Sequence, residues 1–183
     1  MSTNHEMPSL MTVYSGWEGY QQSLVSAVHG LTPENLRYRP HPEHRSVGEI
    51  VGHIAYGRID WFHRMKAPGS AELNQEITPY YKGEALLHDS VSEDPEALIY
   101  WLEASWRMVE SNLQRWTVVD LATTFRFTYW EVEYAIPYQW VIWRILSHDI
   151  HHGGQLSTLL VQQGIDLPDL GENGGHIIPA PVA

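Results

Sequence analysis

Three histidines and an aspartate fall within five residues in His148-Asp149-Ile150-His151-His152. His148 and His152 are four positions apart, so on a helix they share one face with Cβ atoms about 6 Å apart, close enough to hold one metal ion. The sequence has no cysteine. A metal site must therefore use imidazoles and carboxylates, and thiol chemistry needs a thiol from outside the protein. At about 100° per residue, Arg144, Ser147, His151, Thr158 and Gln162 gather on one side, the expected solvent face. His148 and His152 lie on another side, among Val141, Ile145, Leu156 and Leu159. His151 thus drops out as a ligand. Two core-facing histidines one turn apart are either hydrogen-bonded core residues or two of the three ligands of a metal.

A third ligand has to come from another helix, and His53 is the best offer. It borders the apolar stripe of Ile50, Ile54 and Trp61 and shares its side with Asp60 and Arg64, a position that suits the lip of a partly open cleft. His29 and His63 lie near helix ends, where the dipole or solvent explains them. His5, His41, His44, His88 and His176 fall in expected loops and read as solvated. Glu49, one turn before His53, and Gln155, near the phase of His148, can each orient a ring; Glu49 also completes a capping box with Ser46. Asp149 shares its phase with Ile142, Leu156 and Leu160, so it should be partly buried and in need of a partner, either paired with another helix or, as the lesser reading, catalytic. Asp60 and Arg64 form an i, i+4 ion pair or meet substrate, and Tyr56, Trp61 and Trp143 are cavity walls or plain packing. No catalytic residue beyond these candidates is identified.

The elements that must position these side chains are helical. Apolar residues from Leu10 to Val28 predict helix one over Pro8 to His29, closed by Gly30. Thr32-Pro33 predicts a short helical turn, and Ser46-Val47-Gly48-Glu49 opens helix two, which runs to about Met65. Residues 67 to 91 show no sustained period and read as a long connection with one short helical piece. Ser92-Glu-Asp-Pro95 starts helix three, whose stripe is Leu98, Trp101, Leu102, Ser105, Val109, Leu113 and Trp116. Phe125, Phe127 and Tyr129 alternate with polar residues, so 124 to 136 is a small hairpin or extended excursion. Pro137 then begins helix four, which ends at Gly164. Residues 165 to 183 read as a surface-wrapped or loosely ordered tail. The expected fold is all-α, a four-helix bundle with a long crossover, in one domain of 183 residues.

Eleven basic against twenty-two acidic residues give a net charge of −11, which disfavours nucleic acid as a partner. The first residues show no charged and apolar leader pattern, and no stretch approaches the length of a membrane span, so a cytoplasmic protein is expected. Eight Trp and ten Tyr against three Phe suit half-wet cavities as well as core.

Two segments carry a family resemblance: Ser46-Val-Gly-Glu-Ile-Val-Gly-His53 and Trp143-Arg-Ile-Leu-Ser-His148-Asp-Ile-His-His152-Gly-Gly-Gln-Leu156. With them the chain resembles the DinB-like (YfiT-like) superfamily of four-helix-bundle proteins described as metal-dependent. The resemblance implies that His53, His148 and His152 bind a divalent metal, zinc or nickel, and that the protein is a homodimer. Some relatives use a low-molecular-weight thiol, among them thiol S-transferases and a thiol-dependent maleylpyruvate isomerase. The family often has Arg where this chain has Gly153.

Three neutral imidazoles leave a metal one open position, where water or a thiol becomes acidic. The expected function is therefore that of a metalloenzyme that transfers a thiol to a small electrophile or acts like a hydrolase. The alternative is a non-catalytic, stress-associated protein that binds metal or a small ligand. A third reading is a structural or regulatory dimer with the histidines as metal-free core. Imidazole suits several transition metals and does not choose among them.

Overall fold

Local signals at the ends of three of the long helices are satisfied. Ser46 and Glu49 form a reciprocal capping box at the start of α4 (Val47–Arg64). The Asp94 side chain accepts from the backbone N–H of Glu96 and Ala97 to open α7 (Pro95–Arg115). Pro137 precedes α8 (Tyr138–Val161), and Gly164, at φ +78°, takes the left-handed conformation just beyond its end. The computed structural model describes residues 7–83, 85–167 and 170.

Helix one is broken where its apolar periodicity predicts continuity. α1 (Leu10–Val13) and α2 (Ser15–Val28) meet at Tyr14, whose φ and ψ of −104° and 20° leave the helical range. The Leu10 N–H donates to the Trp116 carbonyl at 2.7 Å, so α1 is bound to the end of α7 rather than continuing the axis of α2. A short α3 (Pro33–Arg37) follows with the expected Thr32 cap.

The four long helices α2, α4, α7 and α8 form the bundle, with α4 packed on α7 and α8 and α2 on the same two partners. Cross-helix contacts give their directions. Trp17 and Tyr20 reach Asp149 and Ile150, so α2 and α8 run parallel. Arg58 bonds Asp149 while Met65 meets Tyr138, so α4 and α8 are antiparallel. Arg58 bonds the Leu102 carbonyl and Pro68 meets Asn112, so α4 and α7 are parallel. Parallel neighbours require a connection that returns along the bundle, and residues 65–94 supply this crossover.

That connection holds more structure than its sequence predicts: α5 (Ser70–Ile77), the strands β1 (Tyr81–Gly83) and β2 (Leu86–Leu87), and α6 (Asp89–Ser92). α5, β2 and α6 each bury only one large apolar side chain, Ile77, Leu87 and Val91, and β1 buries none, which is too sparse to leave a period. The second hairpin matches expectation. β3 (Thr124–Tyr129) and β4 (Val132–Pro137) pair in register from Thr124 with Pro137 to Tyr129 with Val132. Trp130 and Glu131 at its turn both have positive φ, as a tight two-residue hairpin requires.

The core has two apolar clusters, one around Leu24, Ile54, Leu98 and Leu156, the other around Trp17, Phe62, Val109 and Ile145. Between them lies a polar layer of Gln21, Arg58, Ser105 and Asp149, all buried. Ile165 and Leu167 pack on the first cluster and Leu170 is buried. The remainder of the expected tail, 168–169 and 171–183, lies outside the described residues, as do His5 and His176.

Candidate metal centre

His53 comes from the middle of α4, and His148 and His152 come from successive turns of the antiparallel α8. His148 and His152 are buried and His53 is half-buried. One ligand atom from each lies within 4.8 Å of the others, and the Nε2 atoms of His53 and His148 are 3.0 Å apart. Tetrahedral zinc with Zn–N bonds of about 2.0–2.1 Å places its nitrogens about 3.3 Å apart, which these spacings bracket. The residues present therefore fit a divalent ion.

Hydrogen bonds choose the tautomers. A carbonyl can only accept, so the 3.0 Å contact with the Ala85 oxygen puts the proton of His53 on Nδ1 and leaves Nε2 a lone pair. His152 Nδ1 likewise donates to Gln155 Oε1 at 2.8 Å, while the Gln155 amide nitrogen faces His151 Nε2 at 3.3 Å. Burial, and secondarily the charge of Arg45, lowers the His53 pKa to about 3. Burial also lowers that of His152 to about 4, so both rings are neutral at pH 7, the form that ligates metal. His148 Nδ1 is buried without a hydrogen-bond partner, 3.9 Å from the equally unpartnered Asp149 Oδ1.

Room for the His148 ring comes from Gly57. A Cβ there would stand 2.7 Å from His148 Cε1. The sequence signal was a glycine in the middle of a strong helix, one turn after His53.

The sequence profile of the DinB superfamily matches residues 17–156, which span α2 to α8 and include all three histidines. The chain belongs to the DinB superfamily. Among solved structures, a DinB-like protein from Bacillus cereus ATCC 10987 superposes with a TM-score of 0.67 at 20% identity, covering 89% of this chain and 98% of that one. A DinB-like protein (YjoA) from Bacillus subtilis gives a TM-score of 0.58 at 16% identity, covering 86% and 96%. At these identities the likeness is one of fold. No curated protein matches the sequence.

In this DinB-superfamily chain the other candidates divide clearly. Asp149 is fully buried: its Oδ2 accepts from Trp17 Nε1 and Arg58 Nε, each at 2.8 Å, so it ties three helices together. Arg58, also fully buried, bonds Gln21 Oε1 and the Leu102 carbonyl as well. Sequence reasoning required a partner for Asp149 but did not find Arg58, because nothing local marks which cation is turned inward. Glu49 serves the capping box and pairs with Arg39 and Lys82, and the Ala85 carbonyl rather than Glu49 orients His53. Gln155 meets His152 and not His148.

Tyr56 stacks flat on Tyr81, with ring centres 4.7 Å apart. Asp60 pairs with Arg64 at 2.7 Å, and Arg64 lies over Phe127. With Trp61, Phe127, Tyr134 and Trp140, this pair lines an aromatic cleft of about 440 Å³. Trp143 is 62% exposed and stands at the surface, because position 143 points outward from α8. Gly153 leaves space for Tyr20, whose hydroxyl oxygen would be 2.0 Å from a Cβ at that position. An arginine there would clash with Tyr20. A cavity of about 500 Å³, with Arg45 and His151 in its wall, opens beside His152.

Proposed function

We propose that this DinB-superfamily protein is a metal-dependent enzyme in which His53, His148 and His152 hold one divalent ion, zinc or nickel, and a low-molecular-weight thiol is transferred to a small electrophile. The observation that carries the metal reading is the convergence of three imidazoles from two helices, two of them with tautomers set to present Nε2. A divalent ion held by His53, His148 and His152 would supply Lewis acidity, lowering the pKa of a thiol or water bound to it. Ala85 and Gln155 fix the rings of His53 and His152, and burial keeps both unprotonated. The cavity beside His152 offers room for a small molecule next to that histidine. With no cysteine in the chain, the thiol is external.

Metal analysis of protein purified without chelators or nickel resin, followed by an assay of cysteine or glutathione with 1-chloro-2,4-dinitrobenzene, tests this reading. One ion per chain and turnover abolished by His152→Ala without loss of fold are the expected results. One ion without turnover by any common thiol would make the protein a metal binder, and no ion would make the histidines core residues. The family resemblance carries the homodimer as well. The exposed Trp130, Trp143 and Ile150 supply apolar surface for it, and sedimentation reads the assembly.

A further inference from the structure

Two buried atoms beside the three histidines have no hydrogen-bond partner: His148 Nδ1 and Asp149 Oδ1, 3.9 Å apart. Buried polar atoms are ordinarily paired, and a carboxylate oxygen can only accept. Neighbours on a helix diverge by about 100°, yet these two side chains approach one another. Trp17 Nε1 and Arg58 Nε each donate to Asp149 Oδ2 at 2.8 Å, so α2 and α4 clamp the carboxylate through one oxygen and leave the other toward the His148 ring. A neutral imidazole has one proton for two nitrogens. Placed on Nε2, the proton of His148 would meet the free lone pair of His53 Nε2, 3.0 Å away, and two buried acceptors would be left facing each other at Nδ1 and Oδ1. Placed on Nδ1, it serves both buried atoms in a charge-assisted bond, about twice as strong as a neutral one.

We propose that Asp149 is the positioning residue of His148: its Oδ1 accepts the Nδ1 proton and holds the ring in the tautomer that turns the Nε2 lone pair toward His53 and His152. The gap of 3.9 Å exceeds a charge-assisted hydrogen bond by about 1 Å, which a small turn of the imidazole closes. Each of the three rings then has its own acceptor on Nδ1, supplied by Ala85, Asp149 and Gln155. Acceptors of this kind fix the tautomer and orientation of ligating histidines. Through the clamp on Oδ2, Trp17 and Arg58 enter the support of the centre. The role of Asp149 in ligation rests on the metal reading above, whereas the tautomer of His148 does not.

Nitrogen NMR of the imidazole rings at pH 7.5 reads the tautomer, because protonated and bare ring nitrogens resonate apart, and zinc competition with a chromophoric chelator reads affinity. In metal-free wild-type protein His148 is expected with Nδ1 protonated and Nε2 bare. Asp149→Asn should reverse this. Its oxygen stays with the Trp17 and Arg58 donors, its amide group turns to the ring, and a donor facing Nδ1 moves the proton to Nε2. Zinc affinity should then fall tenfold or more. Asp149→Asn leaves Arg58 a buried unpaired charge, so Asp149→Leu with Arg58→Met, which buries none, is the second variant. It should unfold cooperatively and show the same reversal and the same loss. A wild-type His148 with bare Nδ1 or protonated Nε2 overturns the proposal, as does a folded variant that keeps the wild-type tautomer or binds zinc within about twofold of wild type. If the wild type binds no zinc, the metal reading fails, and the tautomer with and without the carboxylate still decides the role of Asp149.

Discussion

Gly57 carries a sharper consequence than any of the polar candidates around the three histidines. Replacing an interior helix glycine with alanine ordinarily stabilises by about 1 kcal/mol. Here the added methyl group would lie 2.7 Å from His148 Cε1, so the ring has to turn and its Nε2 leaves the position that faces His53. Gly57→Ala is therefore expected to weaken zinc or nickel binding by about tenfold or more, the scale found when ligand orientation is disturbed, while helicity is kept. Competition with a chromophoric chelator measures it, and unchanged affinity would mean that the ring has another place to go. The facing of His148 and His152 was legible from their spacing. Gly57 was not, because its role depends on what α8 places against it.

The polar layer between the two apolar clusters joins α2, α4, α7 and α8. Asp149 and Arg58 have no exposed side-chain surface, and their pairing is completed by Trp17 and Gln21. Breaking one partner leaves an uncompensated buried charge, so Arg58→Met should cost about 3–5 kcal/mol. The double change Arg58→Met with Asp149→Leu should recover most of that, since two apolar residues leave no charge buried. Urea unfolding of both variants gives the comparison; a double variant as unstable as the single one would show that the layer depends on more than this pair. The caps of α4, α7 and α8 and the alternation of β3 announced those elements in advance. The break at Tyr14 and the pieces of residues 67–91 did not announce themselves. Their geometry comes from contacts with distant residues, such as Leu10 with Trp116, and not from a local period.

Burial of the histidines links the stability of the folded protein to pH. The folded values of His53 and His152, about 3 and about 4, lie below the ordinary histidine value of 6.5, so between these limits the unfolded chain binds more protons. Stability of the metal-free protein should be greatest above pH 6.5 and fall as pH drops toward 4 and then 3. Melting temperatures at pH 7.5 and pH 5 read this directly. The double variant His53→Gln, His152→Gln should flatten the dependence, and an equally steep fall in that variant would assign it to other groups. Among the described residues no helix is long and apolar enough to cross a membrane.

Helical periodicity and caps are local properties, written every few residues, so the sequence was enough to establish four long helices, an all-α bundle with a crossover, and the inward facing of His148 and His152. How one helix lies against another is not local. The register that brings Ala85 to His53, Arg58 to Asp149 and Arg45 to the cavity beside His152 is decided when all side chains pack together. Tertiary packing alone settled which cation was buried and which acceptors oriented the rings of His53 and His152.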